Sequence, residues 1–159
     1  MAIEKVRAHF KKYDREDDVM EFATSSATVD EAAATIQVIP ARIAKTISFR
    51  GEGENALLIV AAGDAKIDNK KFKNLFGFKA RMLPPEEVYL QTGHEIGGVC
   101  PFGLVRDLDV FLDISMQRFD TVFPACGSTN SAIELTCDEL FQYSNALEWV
   151  DVCKGWGEG

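Results

Sequence analysis

The chain has little from which to build a covalent or metal-held framework. Its four cysteines, Cys100, Cys126, Cys137 and Cys153, include no C-x-x-C pair, and it has only two histidines. The paired short ligand spacings of a structural zinc site are therefore missing, and neither a metal nor another cofactor is expected. No apolar run approaches the roughly 18 residues that suggest a membrane span, and the N-terminal stretch lacks the basic and apolar pattern of a signal peptide. The expectation is a soluble cytoplasmic protein with reduced thiols. Positive charge is also short: 17 Lys and Arg against 25 Asp and Glu leave a net charge of -8. That balance argues against a protein that coats nucleic acid or anionic membrane nonspecifically, so any polyanion must be met locally.

A length of 159 residues suits one domain, residues 1–159, with a core that needs no staple. Ile3, Val6, Phe10 and Tyr13 recur at helical spacing and predict an amphipathic helix over 3–14. A short apolar piece follows around Val19 to Phe22. Thr28-Val29-Asp30-Glu31 has capping-box spacing and opens an alanine-rich helix that Pro40 ends. Ile43 to Phe49 and Ala56 to Ala62 read as an antiparallel hairpin around the turn from Arg50 to Asn55, Glu54 included. Gly51, Gly53 and Ala56 fit the loose dinucleotide fingerprint, but a strand follows where a helix is required, so that reading is rejected.

Asp68 caps a short helix with Phe72, Leu75 and Phe76 expected on the core and Gly77 as its stop. Pro84 and Pro85 open another helix. Val110 to Ile114, Asp120 to Phe123, Ala132 to Leu135 and Leu147 to Val152 read as strands, with a capped helix from Thr136-Cys137-Asp138-Glu139 between the last two. Gly155 to Gly159 reads as a frayed tail. Without a steady β-α alternation, the fold class is α+β, a mixed and largely antiparallel curved sheet flanked by helices.

Three features point to chemistry. Between Gly93 and Gly103, four glycines and one proline fall within eleven residues, a loop able to present backbone N–H groups to a ligand or simply to connect two elements. Lys45 lies in the apolar run from Ile43 to Phe49, where alternation places it with Ile43, Ile47 and Phe49 on the face expected to be buried. A lysine there either snorkels at a strand end or reaches a pocket and meets an anion. The segment from Asp64 to Arg81 holds six basic residues (Lys66, Lys70, Lys71, Lys73, Lys79, Arg81) and two acids, a charge of +4 against -12 for the remainder. Such a basic island fits either a local contact with one end of a nucleic acid or an ordinary solvated helix face. His94 and Cys100, six residues apart, also admit a base-and-nucleophile pair, although no third orienting group is evident.

The ordered runs A-R-I-A-K-T-I-S-F (residues 41–49), L-L-I-V-A-A-G-D-A-K-I-D (57–68) and T-G-H-E-I-G-G-V-C-P-F-G (92–103) resemble the YbaK/ProX family of aminoacyl-tRNA deacylases, relatives of the prolyl-tRNA synthetase editing domain. The resemblance implies a compact mixed α/β domain that hydrolyses the ester joining a wrong, usually small, amino acid to the 3′ end of a tRNA, with a synthetase as a possible partner. It implies that Lys45 holds the terminal phosphate region and that the G-x-x-x-P loop, Gly97, Gly98, Val99 and Pro101 among its residues, positions the carbonyl. Ile47, His94, Cys100, Phe102, Gly127 and Ser128 become candidates to line the substrate site, and Lys66, Lys70, Lys71 and Lys73 candidates for contact with the tRNA. Water assisted by the substrate's 2′-hydroxyl is the implied nucleophile. Asn130 departs from the second glycine that many family members carry beyond the position of Gly127. Two alternatives stay open: a family member that binds tRNA or a synthetase without catalysis, and a cysteine hydrolase using Cys100 and His94.

Overall fold

The most apolar stretch of the chain, Ala56–Ala62, becomes a strand buried along its whole length. A strand covered on both faces has no polar side to show, so its sequence is a continuous apolar run. The computed structural model describes residues 2–25, 28–53 and 55–156; Glu54 of the expected turn and residues 157–159 of the expected tail lie outside them. In chain order the elements are α1 (Ala2–Lys11), β1 (Met20–Glu21), α2 (Val29–Ile36), β2 (Ile43–Arg50), β3 (Ala56–Ala62), β4 (Lys66–Ile67), α3 (Asn69–Phe76), α4 (Pro85–Thr92), β5 (Asp109–Asp113), β6 (Thr121–Pro124), β7 (Ser131–Ala132), β8 (Leu135–Thr136), α5 (Cys137–Tyr143), β9 (Glu148–Val150) and β10 (Cys153–Lys154).

Six strands form one mixed sheet in the order β8-β6-β2-β3-β5-β9, while β1 pairs with β7 and β4 with β10. The hairpin β2–β3 is antiparallel as expected, from Ala44 opposite Ala62 to Arg50 opposite Ala56. Among the described residues four of the seven ladders are antiparallel; the parallel ones, β2–β6, β3–β5 and β5–β9, all lie in the main sheet. The α+β class holds, but among the described residues three of the five ladders of the main sheet are parallel, so that sheet is mixed and not largely antiparallel.

Helices cover the sheet through aromatic contacts that the sequence spacing prepares. Phe72 of α3 stacks on Phe49 with ring centroids 5.0 Å apart, and Phe76 meets Phe111 at 5.0 Å. Phe10 of α1 packs edge-on against Tyr143 of α5 at 5.8 Å. Fully buried phenylalanines of this kind cost about 3–5 kcal/mol when truncated to alanine. A smaller cluster of Ala33, Ile43 and Phe123 seats α2 on β2 and β6. Thr28 accepts from the Glu31 amide at 3.1 Å, and Thr136 with Glu139 completes a reciprocal capping box at the start of α5, both as read from the sequence.

Several expectations need correction. The first helix stops at Lys11, and Asp14 turns the chain with φ 59°. Leu75 is 47% exposed, because Phe72, Phe76 and Phe78 already fill the space over the sheet. The single strand expected over 132–135 is two short ones, with Ile133 bonded to Pro124 between them. Strands β4 and β10 were not anticipated, since two-residue strands exist through their partner and carry no periodicity of their own.

What positions the site is a gap in the sheet. Strand β6 pairs with β2 only at Ile43–Phe123 and Ala44–Pro124. From Ser48 onward the same edge of β2 is covered by residues 81–83, through Leu83 N–H to Ser48 O at 3.1 Å and Arg50 N–H to Arg81 O at 2.8 Å. Between these two, Lys45, Thr46 and Ile47 pair with β3 on one side only. A cavity opens at that unpaired edge.

Candidate functional site

The cavity has a volume of about 270 Å³, at the small end of ligand pockets, which run from roughly 300 to 1,000 Å³. Its apolar walls come from α2 (Val29, Ala32, Ile36), from Leu83 and Val88 around the start of α4, and from Phe123. The floor is the β2 edge from Ile43 to Ser48. Facing it are two loops, one bringing Ile96, Gly97 and Val99, the other Ser128 to Ala132. Among the described residues Lys45 is the one charged side chain in the lining, which contains no Asp, Glu, His or Cys.

Lys45 does not wait on an anion inside its strand. Its Nζ donates to the carbonyls of Gly63 (3.3 Å) and Ala65. Half-burial lowers its pKa below the ordinary 10.5, while nearby Cys153 and Asp64 act in the opposite sense and Lys66 reinforces the fall. The alternation reading thus found the right strand, but its assumption of a uniformly buried face fails: Ile43 and Phe49 are buried, whereas Lys45 and Ile47 border the cavity and stay half-buried.

The glycine loops explain each other. Gly97 adopts φ 95°, a conformation that costs an L side chain strain. A β-carbon on Gly98 would stand 2.7 Å from the Ser128 amide nitrogen and 2.9 Å from the Gly127 carbonyl carbon, so the two loops touch backbone to backbone and only glycine fits. The Gly98 N–H is already spent on Glu95 O at 3.0 Å. Those of Gly97 and Val99 have no partner among the described residues. Across the cavity, the Ser128 hydroxyl donates to Asn130 Oδ1 at 2.8 Å and meets the Ser131 hydroxyl at 2.6 Å. Asn130 in turn bonds the Phe22 carbonyl at 3.0 Å, so this turn is held by a side-chain network.

Other residues marked from the sequence fall behind the cavity. His94, Cys100 and Phe102 are fully buried and do not line it. His94 Nε2 is 2.8 Å from Phe102 O and 3.5 Å from Cys100 Sγ, so the pair is adjacent, as the spacing suggested, but sealed off. Burial pushes the Cys100 thiol up to about 12 and lowers His94 below the usual imidazole value. A protonated, inaccessible thiol cannot attack a bound ester. Direct substrate contact by these three is therefore withdrawn, together with the cysteine-hydrolase reading. Pro101 is buried on the far side of the loop, beside a second cavity near His9, and Gly127 (φ 92°) supports Ser128 without lining the first.

Sequence reasoning missed Thr46. Its hydroxyl is buried in the cavity lining without a hydrogen-bond partner, a state costing roughly 1–3 kcal/mol. A threonine in a β-rich run reads as a strand former, and its orphaned hydroxyl becomes visible only when the gap beside β2 is seen. The wall from α2 was equally hidden.

The geometry agrees with the relationships of the chain. A sequence model of the aminoacyl-tRNA editing domain family matches residues 23–143, and the protein belongs to that family. It is 65% identical over 156 residues to "Uncharacterized protein YwhH" of Bacillus subtilis (strain 168), covering 98% of this chain and 99% of that one. It is 24% identical over 146 residues, 90% of this chain and 85% of the other, to EbsC of Enterococcus faecalis (strain ATCC 700802 / V583), described as a candidate Cys-tRNA(Pro)/Cys-tRNA(Cys) deacylase. Among solved structures, one described as a candidate trans-editing enzyme for prolyl tRNA synthetase superposes with a TM-score of 0.87 at 29% identity, covering 97% of this chain and 98% of that one. No helix among the described residues is long and apolar enough to cross a membrane.

Proposed function

We propose that this protein is a trans-editing hydrolase that removes a small, wrongly attached amino acid from the 3′ end of a tRNA, tRNA-Pro or a similar one, by water attack on the ester carbonyl. The observation that carries this reading is the composition of the cavity: among the described residues, one cation, two glycine-held loops, apolar walls, and no carboxylate, imidazole or thiol. A site without a nucleophile or base of its own suits a reaction whose base comes with the substrate, here the vicinal 2′-hydroxyl of the terminal ribose. Lys45 sits where it can leave its carbonyl ligands for the terminal phosphate region. The free N–H groups of Gly97 and Val99 can meet the oxyanion as it forms, a contribution of about 3 kcal/mol for each donor in hydrolases. Gly98 and Pro101 hold the loop and do not touch the substrate. Ser128 offers its hydroxyl to polar groups of the aminoacyl moiety, and Ile47 belongs to the same wall. The basic segment around Lys66, Lys70 and Lys73 serves as a secondary contact with the tRNA, and a synthetase such as prolyl-tRNA synthetase can deliver the substrate.

A panel of tRNAs mischarged with alanine, serine, cysteine and a bulky aromatic residue tests the reading. Hydrolysis of one or more of the small esters, with the aromatic ester spared, is expected. Failure to deacylate any member, alone or with a synthetase present, would leave the family's non-catalytic alternative.

A further inference from the structure

Strands β4 and β10 place Lys66 directly opposite Lys154 in an antiparallel ladder. Directly opposed residues share a face with β-carbons about 5 Å apart, and like charges so placed oppose pairing. Both side chains are exposed. Lys70, also exposed, stands in the first turn of α3, where its charge opposes the helix dipole. The fold thus sets two cations opposite each other in one ladder and a third in the first turn of the helix that follows β4, against both local preferences.

The acids nearby relieve this crowding only in part. Asp64 is taken by Arg118 through two bonds of 2.6 and 3.0 Å. Asp68, which feels the charge of Lys154, accepts from the Lys70 and Lys71 amides through Oδ1. Asp151 is paired with Lys71 at 3.0 Å. Lys66, Lys70 and Lys154 have no ion pair among the described residues. Lys66 immediately follows Ala65, whose carbonyl takes the Lys45 ammonium.

We propose that Lys66 and Lys154, with Lys70 beside them, form a docking surface for the sugar-phosphate backbone of the tRNA acceptor strand next to the aminoacylated end. Lys154, 88 positions from Lys66 in the chain, belongs to this surface, whereas Lys71 is withdrawn from it by Asp151. The inference rests on the substrate being an aminoacyl-tRNA. Its occupant follows from charge: regularly spaced phosphates relieve the repulsion of lysines that a neutral surface leaves unpaired.

The test measures binding of uncharged tRNA and, separately, deacylation of a mischarged one, using wild type, Lys66→Ala/Lys154→Ala, and Lys12→Ala as an equally exposed control. The double variant should bind tRNA about tenfold more weakly at low salt, with the slope of log K against log salt reduced by about 2, near 1 for each lost phosphate contact. Its KM for full-length mischarged tRNA should rise with kcat unchanged. Its turnover of a short aminoacylated 3′ fragment without the acceptor duplex should match wild type. Unchanged binding, an equal loss with Lys12→Ala, or an equal loss on the short fragment would overturn the docking surface. Weakened binding only to vesicles of anionic phospholipid would overturn it too and reassign the lysines to a membrane. If wild type deacylates nothing while the double variant still loses tRNA affinity, the proposed reaction fails and the docking surface stands.

Discussion

The cavity beside β2 and the lysine surface on β4 and β10 recognise by opposite means. The cavity has one charge, held by two backbone carbonyls, and everything else in it is shape, hydroxyls and loop amides. The surface has three exposed cations with no ion pair among the described residues. A narrow, mostly apolar site can discriminate between small groups because a misfit there costs packing contacts. A wet, charged one gives affinity that falls with salt and reads no detail. The difference assigns selection to the cavity and capture to the lysines, and substitutions in the cavity should act on kcat and on substrate choice.

The largest effect that would break this division is expected at Gly98. Gly98→Val drives a side chain into the Ser128 and Gly127 backbone and moves the loop that carries the Gly97 and Val99 amides. A displacement near 1 Å costs about 100-fold in turnover, so kcat for a mischarged tRNA should fall by that order while tRNA affinity is kept. Ala32→Phe, filling the α2 wall, should cut kcat/KM about tenfold with the melting temperature unchanged or raised; a loss of tRNA affinity instead would blur the comparison. Thr46→Val removes a buried hydroxyl that has no partner. It should leave stability equal or higher by about 1 kcal/mol in urea unfolding.

The smallest expected effect lies behind the cavity. Burial lowers the His94 pKa from 6.5 in the folded protein. The unfolded chain therefore takes up that proton first on acidification, and the stabilisation, complete above pH 6.5, is lost as pH falls through the folded value. His9 shifts in the same direction. Unfolding curves at pH 7.5 and 5.0 should show lower stability at the acid end, and His94→Gln should shrink that difference.

Much of this was legible in the residues because its causes are local. Capping boxes, the hairpin and the continuous apolar run of β3 each specify their own geometry, and Lys45 stood out because a lysine among β-branched residues is costly. What escaped notice is made by distant partners. Thr46 stands on the stretch of β2 that β6 leaves after Ala44, and Lys154 meets Lys66 only through a two-residue ladder. The loop from Gly93 to Gly103 shows the boundary well. Its glycines announced a special backbone, but with no periodicity to follow, nothing told that Gly97 and Val99 face the cavity while His94, Cys100 and Pro101 turn into the protein.

The central claim is that hydrolysis takes place in the cavity floored by Lys45 and not at the sealed thiol behind it. The most direct measurement is the single-turnover deacylation rate of one mischarged tRNA by Lys45→Ala and by Cys100→Ala, each confirmed folded by circular dichroism. Lys45→Ala should be slower than wild type by about 100-fold, the scale of a lost anchor that sets near-attack geometry, and Cys100→Ala should stay within about threefold, since it removes only a small buried hydrophobe. A Cys100→Ala protein that folds but no longer turns over, beside a Lys45→Ala protein at the normal rate, would contradict it.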